Sequence, residues 1–230
     1  MPPGHFKLWE LGIQHGDPTL ANLMVDPVMG NGVLNDWDLS RVEDGPMRTG
    51  AERTGTIPFM ALDLLASEGL AGKIPRLYRH ELEGLIWILP WVFIQYKDGG
   101  RTEFTLEEWH TGSPTQYLGV KASFLGTPWI HKPTESWSNQ WPVVLALCEW
   151  LWTLDGERTR AKLIAARQEA EGQLTQGQDD GAQNGSEPRA HEVYNEFLNI
   201  LKESFAHKPL AGLMVDLRMV YTAAPRTDPH

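Results

Sequence analysis

The chain has 230 residues and a formal net charge of −10, with 41% hydrophobic and 22% charged residues. This length suits one globular domain, and the hydrophobic content suffices to bury a core, which excludes disorder throughout. The acidic excess argues against a nucleic-acid binder that relies on a broad positive field. The single cysteine, Cys148, excludes an internal disulfide and a cysteine-rich zinc site.

The first predicted elements surround a short hairpin. Apolar side chains at helical spacing predict a helix over residues 4–14. Two short strands follow, at residues 23–25 and 33–34, with a turn rich in Pro and Gly between them, and we expect them to pair antiparallel. Residues 39–58 are polar and predict a long loop, and residues 59–66 predict a short helix.

The second half of the chain is predicted to be helical. Residues 79–96 form an apolar helix, residues 138–154 a second apolar helix, and residues 157–174 a charged one. The ten apolar residues at 85–94 include a proline and are too short to span a bilayer, which needs about 20 residues. With no transmembrane segment and no signal peptide expected, the predicted location is intracellular, cytoplasmic or nuclear.

Polar residues at the open end of the predicted hairpin carry the strongest functional signal. The sequence reads His-Gly-Asp-Pro-Thr-Leu-Ala-Asn over residues 15–22 and Asn-Asp-Trp-Asp over residues 35–38. Strand pairing would bring Asn22 and Asp36 side by side, and amide and carboxylate oxygens are the ligands that Mg²⁺ prefers. Asp17, on the same loop, could accept a proton from an attacking hydroxyl.

This layout is one that serves phosphoryl transfer from a nucleotide: an orienting Asp, an Asn on one metal ion, and a second Asp on the metal that bridges the phosphates. The interval from Asp17 to Asn22 matches the H-x-D-x-x-x-x-N catalytic loop. The nineteen residues from Asp17 to Asp36 are close to the interval in protein kinases. A polar loop beside a solvated hairpin with acidic ends is the alternative interpretation.

Later segments separate the branches of the kinase-like superfamily. His-Gly-Asp and Asp-Trp-Asp resemble aminoglycoside and choline phosphotransferases at least as much as protein kinases. However, residues 53–63 resemble the end of a protein-kinase activation segment, and residues 78–89 resemble the buried central helix of the kinase C-terminal lobe. Together with the pair Lys121 and Phe124, the stretch over residues 4–126 is similar to the fungal-type protein kinase family.

The resemblance implies a role for each candidate residue. Asp17 would be the catalytic Asp, and Asn22 and Asp36 would bind the metal and, through it, the nucleotide, with Mg²⁺ and ATP as cofactors. Thr56 would hydrogen-bond Asp17 and help to shape a groove for the peptide substrate. His15 would pack beneath the Asp36 turn as a structural histidine.

Several positions depart from the family pattern. Gly16 stands where most regulated protein kinases have an Arg that binds a phosphorylated activation loop, and Thr19 stands where a Lys lies near the transferred phosphate. Glu81 falls where the central helix usually carries an Asp that holds the catalytic-loop backbone. Asp63 replaces the Glu of Ala-Pro-Glu, and its expected partner is an arginine after the central helices, with Arg158 as the candidate.

The resemblance implies a mainly helical fold: a protein-kinase-like C-terminal lobe with a short β-hairpin at the catalytic loop and the N-lobe absent. The Gly-rich loop and the strand Lys of a kinase lie well before the catalytic loop, whereas His15 is fourteen residues from the start. We expect residues 1–172 to form the C-lobe-like domain and residues 173–190 a disordered linker. Residues 191–207 would form a C-terminal helix that could pack on the lobe, and residues 208–230 a frayed tail.

The inherited activity is expected to be transfer of the γ-phosphoryl group of Mg-ATP to a Ser or Thr of a protein, in a truncated form that is not competent. Whether the chain is an enzyme therefore stays open. One alternative is a catalytically dead scaffold, or pseudokinase, that keeps the C-lobe surface. Another is a small-molecule phosphotransferase of the aminoglycoside or choline type. The expected partners are a protein substrate or a partner protein, without nucleic acid or membrane.

Overall fold

The computed structural model describes residues 3–26, 28, 30, 32–38, 40–42, 55–103, 106, 109, 112–171 and 188–205. Over these residues the protein is mainly helical, with a few short strands, so the mainly helical class predicted from the sequence is confirmed. In the described part of the chain, no helix combines the length and the apolar character that crossing a membrane requires.

The described helices are α1 Pro3–Glu10, α2 Leu62–Leu65, α3 Ser67–Leu70, α4 Tyr78–Gln95, α5 Pro114–Gly126, α6 Trp141–Ala170 and α7 Ala190–Phe205. Single turns of 3-10 helix occupy Ile57–Phe59, Pro128–Ile130 and Glu135–Trp137. The first helix is shorter than the predicted 4–14, because Gly12 turns the chain with a φ of +78° into a strand.

Each sheet in the described residues is an antiparallel pair of strands. β1 Ile13–Gln14 pairs with β4 Arg41–Val42, β2 Leu23–Val25 with β3 Gly32–Leu34, and β5 Tyr96–Lys97 with β6 Gly100–Arg101. The β2–β3 pair is the predicted hairpin, with Leu23 opposite Leu34. Strand β4 lies inside the predicted loop over residues 39–58. The sequence does not predict it, because its two residues are both exposed and show no alternation of apolar and polar side chains.

Helix α4 forms the centre of the core, and α5, α6 and α7 surround it. Its apolar residues are buried on nearly every side, and Trp87 and Phe93 are fully buried. The Trp87 ring meets Trp109 and Phe124 edge-on, at centroid distances of 5.4 and 6.2 Å. The predicted apolar helix over residues 79–96 is therefore confirmed to within one residue at each end.

One long helix replaces two predicted helices in the next part of the chain. Helix α6 continues for 30 residues through the boundary between the predicted helices at 138–154 and 157–174. Gly156 lies at that boundary, and a helix tolerates an isolated glycine at a cost of about 1 kcal/mol. Asp155 and Arg158 form a 2.9 Å ion pair across it. The change from apolar to charged composition marks where α6 leaves the core, not where a helix ends.

Helix α7 packs on α4 and α6 through a buried face that includes Val193 and Phe197. Its Tyr194 stacks on Phe6 of α1 at a centroid distance of 4.2 Å. The predicted linker as far as residue 187 and the predicted tail over residues 208–230 lie outside the described residues.

Candidate functional site

Thr56 holds the carboxylate of Asp17. The backbone N–H of Thr56 donates to Asp17 Oδ1 at 2.6 Å, and its hydroxyl donates to Oδ2 at 3.1 Å. Two hydrogen bonds from one residue fix the rotation of the carboxylate, and each carboxylate oxygen keeps a lone pair for a further donor. The structure thus brings together two predicted site residues that are 39 positions apart in the sequence.

Asn22 closes the loop that carries Asp17. Its side-chain Nδ2 donates to the Asp17 carbonyl at 2.9 Å, which leaves the amide oxygen of Asn22 as the atom suited to bind a cation. The Asn22 N–H donates to Thr19 Oγ1 at 3.3 Å. Because Thr19 is buried inside the loop, its hydroxyl stabilises the loop through this hydrogen bond.

The hairpin brings the backbone of Asn22 beside the turn that carries Asp36. The N–H of Asn35 donates to the Asn22 carbonyl at 2.7 Å, and Asp36 is the next residue along the chain. The side chain of Asp36 is exposed, and its φ of +60° lies in the left-handed region, which Asp and Asn tolerate better than other non-glycine residues. The end of the hairpin therefore presents Asn22 and Asp36 from adjoining backbone.

His15 is buried between these two parts of the site. Its Nε2–H donates to the Asn35 carbonyl at 2.9 Å, and its Nδ1 accepts from the Asp17 N–H at 3.2 Å. Only the neutral tautomer with the proton on Nε2 makes both bonds. The ring also meets Trp37 edge-on at 4.6 Å. His15 therefore joins the Asp17 loop to the turn at Asp36.

Glu81 of α4 anchors the Asp17 loop from the opposite side. Its Oε1 accepts from the Gly16 N–H at 3.0 Å, while His5 Nε2 lies 3.5 Å from Oε2 and Arg76 Nη1 lies 3.7 Å from Oε1. Burial alone would raise the pKa of Glu81. The contact with His5, the charges of Arg76 and His5 and the Gly16 N–H outweigh it and hold this pKa below its usual value. Glu81 is therefore an ionised anchor for the loop backbone at neutral pH.

Two glycines allow the loop to take this position. Gly16 has a φ of +88°, which glycine adopts without strain and an arginine would not. Gly84 of α4 lies so close to two segments that an added Cβ would be 2.7 Å from Pro18 Cγ and 2.9 Å from the Phe59 carbonyl oxygen. The helix backbone at Gly84 therefore contacts both the loop of Asp17 and the segment that follows Thr56.

Asp63 pairs with Arg79, and the candidate partner Arg158 is wrong. The Arg79 guanidinium donates to both Asp63 oxygens, at 3.3 and 2.5 Å. Arg158 instead forms an ion pair with Asp155 on its own helix. The prediction placed the partner after the central helices, whereas the first turn of α4 already brings an arginine to Asp63.

His80 completes the surroundings of Asp63. Its Nε2–H donates to Asp63 at 3.2 Å, and its Nδ1 accepts from the Leu77 N–H at 3.0 Å, as only the neutral ring can do. Burial lowers the pKa of His80, in agreement with a neutral ring. Burial would raise the pKa of Asp63, but the hydrogen bonds from His80 and Arg79 hold it far below its usual value. The charge that balances Asp63 is therefore that of Arg79.

A narrow cleft opens beside Asp17, with room for about one water molecule. Its wall is mostly apolar and includes Pro18, Phe59, Met60 and Leu64. The described residues contain no group of three or more His, Cys, Asp or Glu side chains that could hold a metal ion. One amide oxygen and one carboxylate still suit Mg²⁺, which usually takes its other ligands from phosphates and water.

Sequence reasoning missed three buried polar residues near the site. His5 lies on α1 beside the apolar residues Phe6 and Trp9. A histidine on this apolar face is the sequence feature that could have identified it as a buried polar residue. Glu83 was also given no role, and neither was Lys121 beyond the resemblance. A charged residue inside the predicted apolar helix over residues 79–96 could have drawn attention to Glu83, whereas no element was predicted around Lys121.

The model of the family described as "Fungal protein kinase" matches residues 3–93 of the chain. The match confirms, over these residues, the resemblance to that family inferred from the sequence. The matched part includes Asp17, Asn22, Asp36 and Thr56, and it indicates a kinase-like function at the level of the family. Comparison with curated proteins found no match, and neither did comparison with solved structures.

Proposed function

We propose that this helical domain is the C-terminal lobe of a protein-kinase fold and carries its phosphotransfer site. The reaction is transfer of the γ-phosphoryl group of Mg-ATP to a Ser or Thr hydroxyl of a protein. The family match supports the class of protein. The paired hydrogen bonds from Thr56 to Asp17 are the observation that carries the assignment of the site, because they hold a partly exposed carboxylate in one orientation.

Asp17 orients the acceptor hydroxyl and takes its proton. Thr56 fixes the carboxylate, so that a lone pair on an Asp17 oxygen can accept the hydroxyl hydrogen. The acceptor oxygen bonds to the γ-phosphorus while the bond from this phosphorus to the β–γ bridging oxygen breaks. The proton passes to Asp17, and ADP leaves with the bridging oxygen. General-base catalysis of this kind contributes about 10²–10⁴-fold to a rate.

Asn22 and Asp36 are proposed to hold Mg²⁺ with the phosphates of the nucleotide. When bound, the ion neutralises charge that develops on the phosphate oxygens. The Asn22 side chain is kept in place by its bond to the Asp17 carbonyl. His15 and Glu81 act through the backbone, His15 by bonding the residue before Asp36 and Glu81 by bonding Gly16. They are positioning residues in this scheme.

Asp36→Asn should remove the stabilisation that Mg-ATP gives to the chain. Asparagine tolerates the same positive φ, so the substitution removes the charge and leaves the turn in place. A ligand present at 100 times its Kd stabilises a protein by about 2.7 kcal/mol, which raises the thermal unfolding midpoint. The measurement is the midpoint with and without Mg-ATP, for the wild type and for Asp36→Asn.

Asp98→Asn is the matched control for this experiment. Asp98 is also exposed and also has a positive φ, of +51°, but it lies in the β5–β6 turn and is remote from the site in the sequence. We expect it to respond to Mg-ATP as the wild type does. An Asp36→Asn variant that is stabilised as much as the wild type would show the metal assignment to be wrong, and no response in the wild type would contradict the proposed function.

A further inference from the structure

A second buried polar cluster lies next to the candidate site and has no part in the proposed transfer. It consists of Glu83 on α4 and Lys121 on α5, whose exposed fractions are 3% and 0%. Buried ions are costly unless they are paired and hydrogen-bonded, so two of them in this core require an explanation.

Both side chains bind the backbone between Met60 and Leu62. Lys121 Nζ donates to the Met60 carbonyl at 2.5 Å, and Glu83 Oε1 accepts from the Leu62 N–H at 2.7 Å. A lysine on one helix thus holds a carbonyl, and a glutamate on another helix holds an N–H two residues later. Hydrogen bonds from two helices therefore hold this segment from two sides.

Trp87 connects the two charged groups. Its indole Nε1–H donates to Glu83 Oε1 at 3.1 Å, and the Lys121 ammonium lies 4.7 Å from the centroid of its ring. Burial lowers the pKa of Lys121, and the charge of Glu83 opposes this effect. Burial likewise raises the pKa of Glu83. Glu83, Lys121 and Trp87 form one cluster, which we name the Lys121 clamp.

The clamped segment leads directly back to Thr56. The 3-10 turn Ile57–Phe59 connects them, with the Phe59 N–H bonded to the Thr56 carbonyl at 2.8 Å and the Met60 N–H bonded to the Ile57 carbonyl at 3.2 Å. A hydrogen-bonded turn this short passes a displacement of Met60 on to Thr56. The position of Met60, which Lys121 holds, therefore affects the position of Thr56 relative to the Asp17 carboxylate.

We propose that Lys121 and Glu83 are positioning residues that set Thr56 against the Asp17 carboxylate through the backbone of residues 57–62. The proposal adds two positioning residues to the candidate site. Only their effect on catalysis rests on the proposed function. The geometry it predicts at Thr56 holds whether or not Asp17 transfers phosphate, so it can be tested without nucleotide.

The test is the amide proton resonance of Thr56 in Lys121→Met. Methionine keeps the length and the apolar packing of the side chain on Trp87 but cannot donate to the Met60 carbonyl. The Thr56 N–H makes a short bond to a carboxylate, so its resonance lies downfield, and we expect an upfield shift when the clamp is lost. The Gly16 amide, bonded to Glu81, reports the other side of the loop and should move much less.

Two further variants complete the design. Lys97→Met removes an exposed lysine that pairs with Glu135, and it should leave the Thr56 resonance in place. If Lys121→Met does not fold because the Glu83 charge is left alone, the double variant with Glu83→Gln removes that charge and should show the same upfield shift. An unmoved Thr56 resonance, or equal movement at Thr56 and Gly16, in either folded variant would overturn the proposal.

Discussion

Asp17→Asn should lower the rate of phosphoryl transfer to protein Ser or Thr hydroxyls by about 10²–10⁴-fold, the contribution of a positioned general base. The asparagine oxygen can still accept from the Thr56 N–H, and the side chain keeps nearly the same shape. An amide, however, cannot take the proton of the acceptor hydroxyl at neutral pH. The measurement is the initial rate of label transfer from γ-labelled Mg-ATP to a Ser/Thr peptide library, made with the chain joined to an ATP-binding N-lobe.

Two features make this result specific to Asp17. Asn22 and Asp36 are unchanged in the variant, so the KM for ATP should stay near that of the wild type while kcat falls. Asp98→Asn makes the same chemical change in the β5–β6 turn and should leave the rate unchanged. Equal rates for Asp17→Asn and the wild type would show that Asp17 is not the base.

Glu81→Ala should lower the free energy of unfolding by about 3–5 kcal/mol, the usual cost of removing one partner from a buried ion pair. The substitution leaves the buried Gly16 N–H without its acceptor, and it leaves His5 and Arg76 without their carboxylate. The effect is large because Glu81 is only 1% exposed and little water can replace it. Urea unfolding of both proteins at pH 7 gives the difference.

Two companion variants separate the causes. Glu81→Gln keeps an acceptor for the Gly16 N–H and should be less destabilised than Glu81→Ala. Glu196→Ala removes an exposed glutamate from α7, and it should change the free energy of unfolding by no more than about 0.5 kcal/mol. A loss below about 1 kcal/mol for Glu81→Ala would mean that Glu81 does not anchor the loop.

The hairpin and the central helix could be predicted because their signals are local. Strands β2 and β3 are short apolar runs on either side of a turn rich in Pro and Gly, so their antiparallel pairing follows from the sequence. Helix α4 is apolar over ten consecutive residues at 85–94, and a helix of this composition is expected to be buried on all sides. The loop over residues 15–22 could be singled out because the spacing of its polar residues matches a known catalytic loop, and its catalytic role stays a prediction.

Contacts between distant residues could not be predicted from local patterns. Glu83 and Leu62 are 21 positions apart, and Lys121 and Met60 are 61 apart, so no periodicity reports either bond. The bond from Thr56 to Asp17 followed from family resemblance rather than from spacing. Asp63 shows the converse error, since a family-based search for a distant arginine passed over Arg79, only 16 positions away.

The length of α6 could not be predicted for a different reason. The composition changes from apolar to charged near Gly156. Such a change can mark the point where a helix leaves the core as well as the point where a helix ends. In the structure the first half of α6 is buried in the core and the second half is exposed, while the backbone hydrogen bonding continues through both. A change in composition without a helix-stopping residue such as proline therefore does not end a helix.

Paramagnetic Mn²⁺ added with ATP tests most directly whether Asp17, Asn22 and Asp36 serve one metal–nucleotide site. Mn²⁺ takes the same oxygen ligands as Mg²⁺ and broadens the NMR signals of nearby nuclei. We expect the amide signals of Asp17, Asn22 and Asp36 to broaden together at low Mn²⁺, while that of Asp98 stays sharp. Broadening at Asp98 to the same degree, or none at the three site residues, would contradict the proposed site.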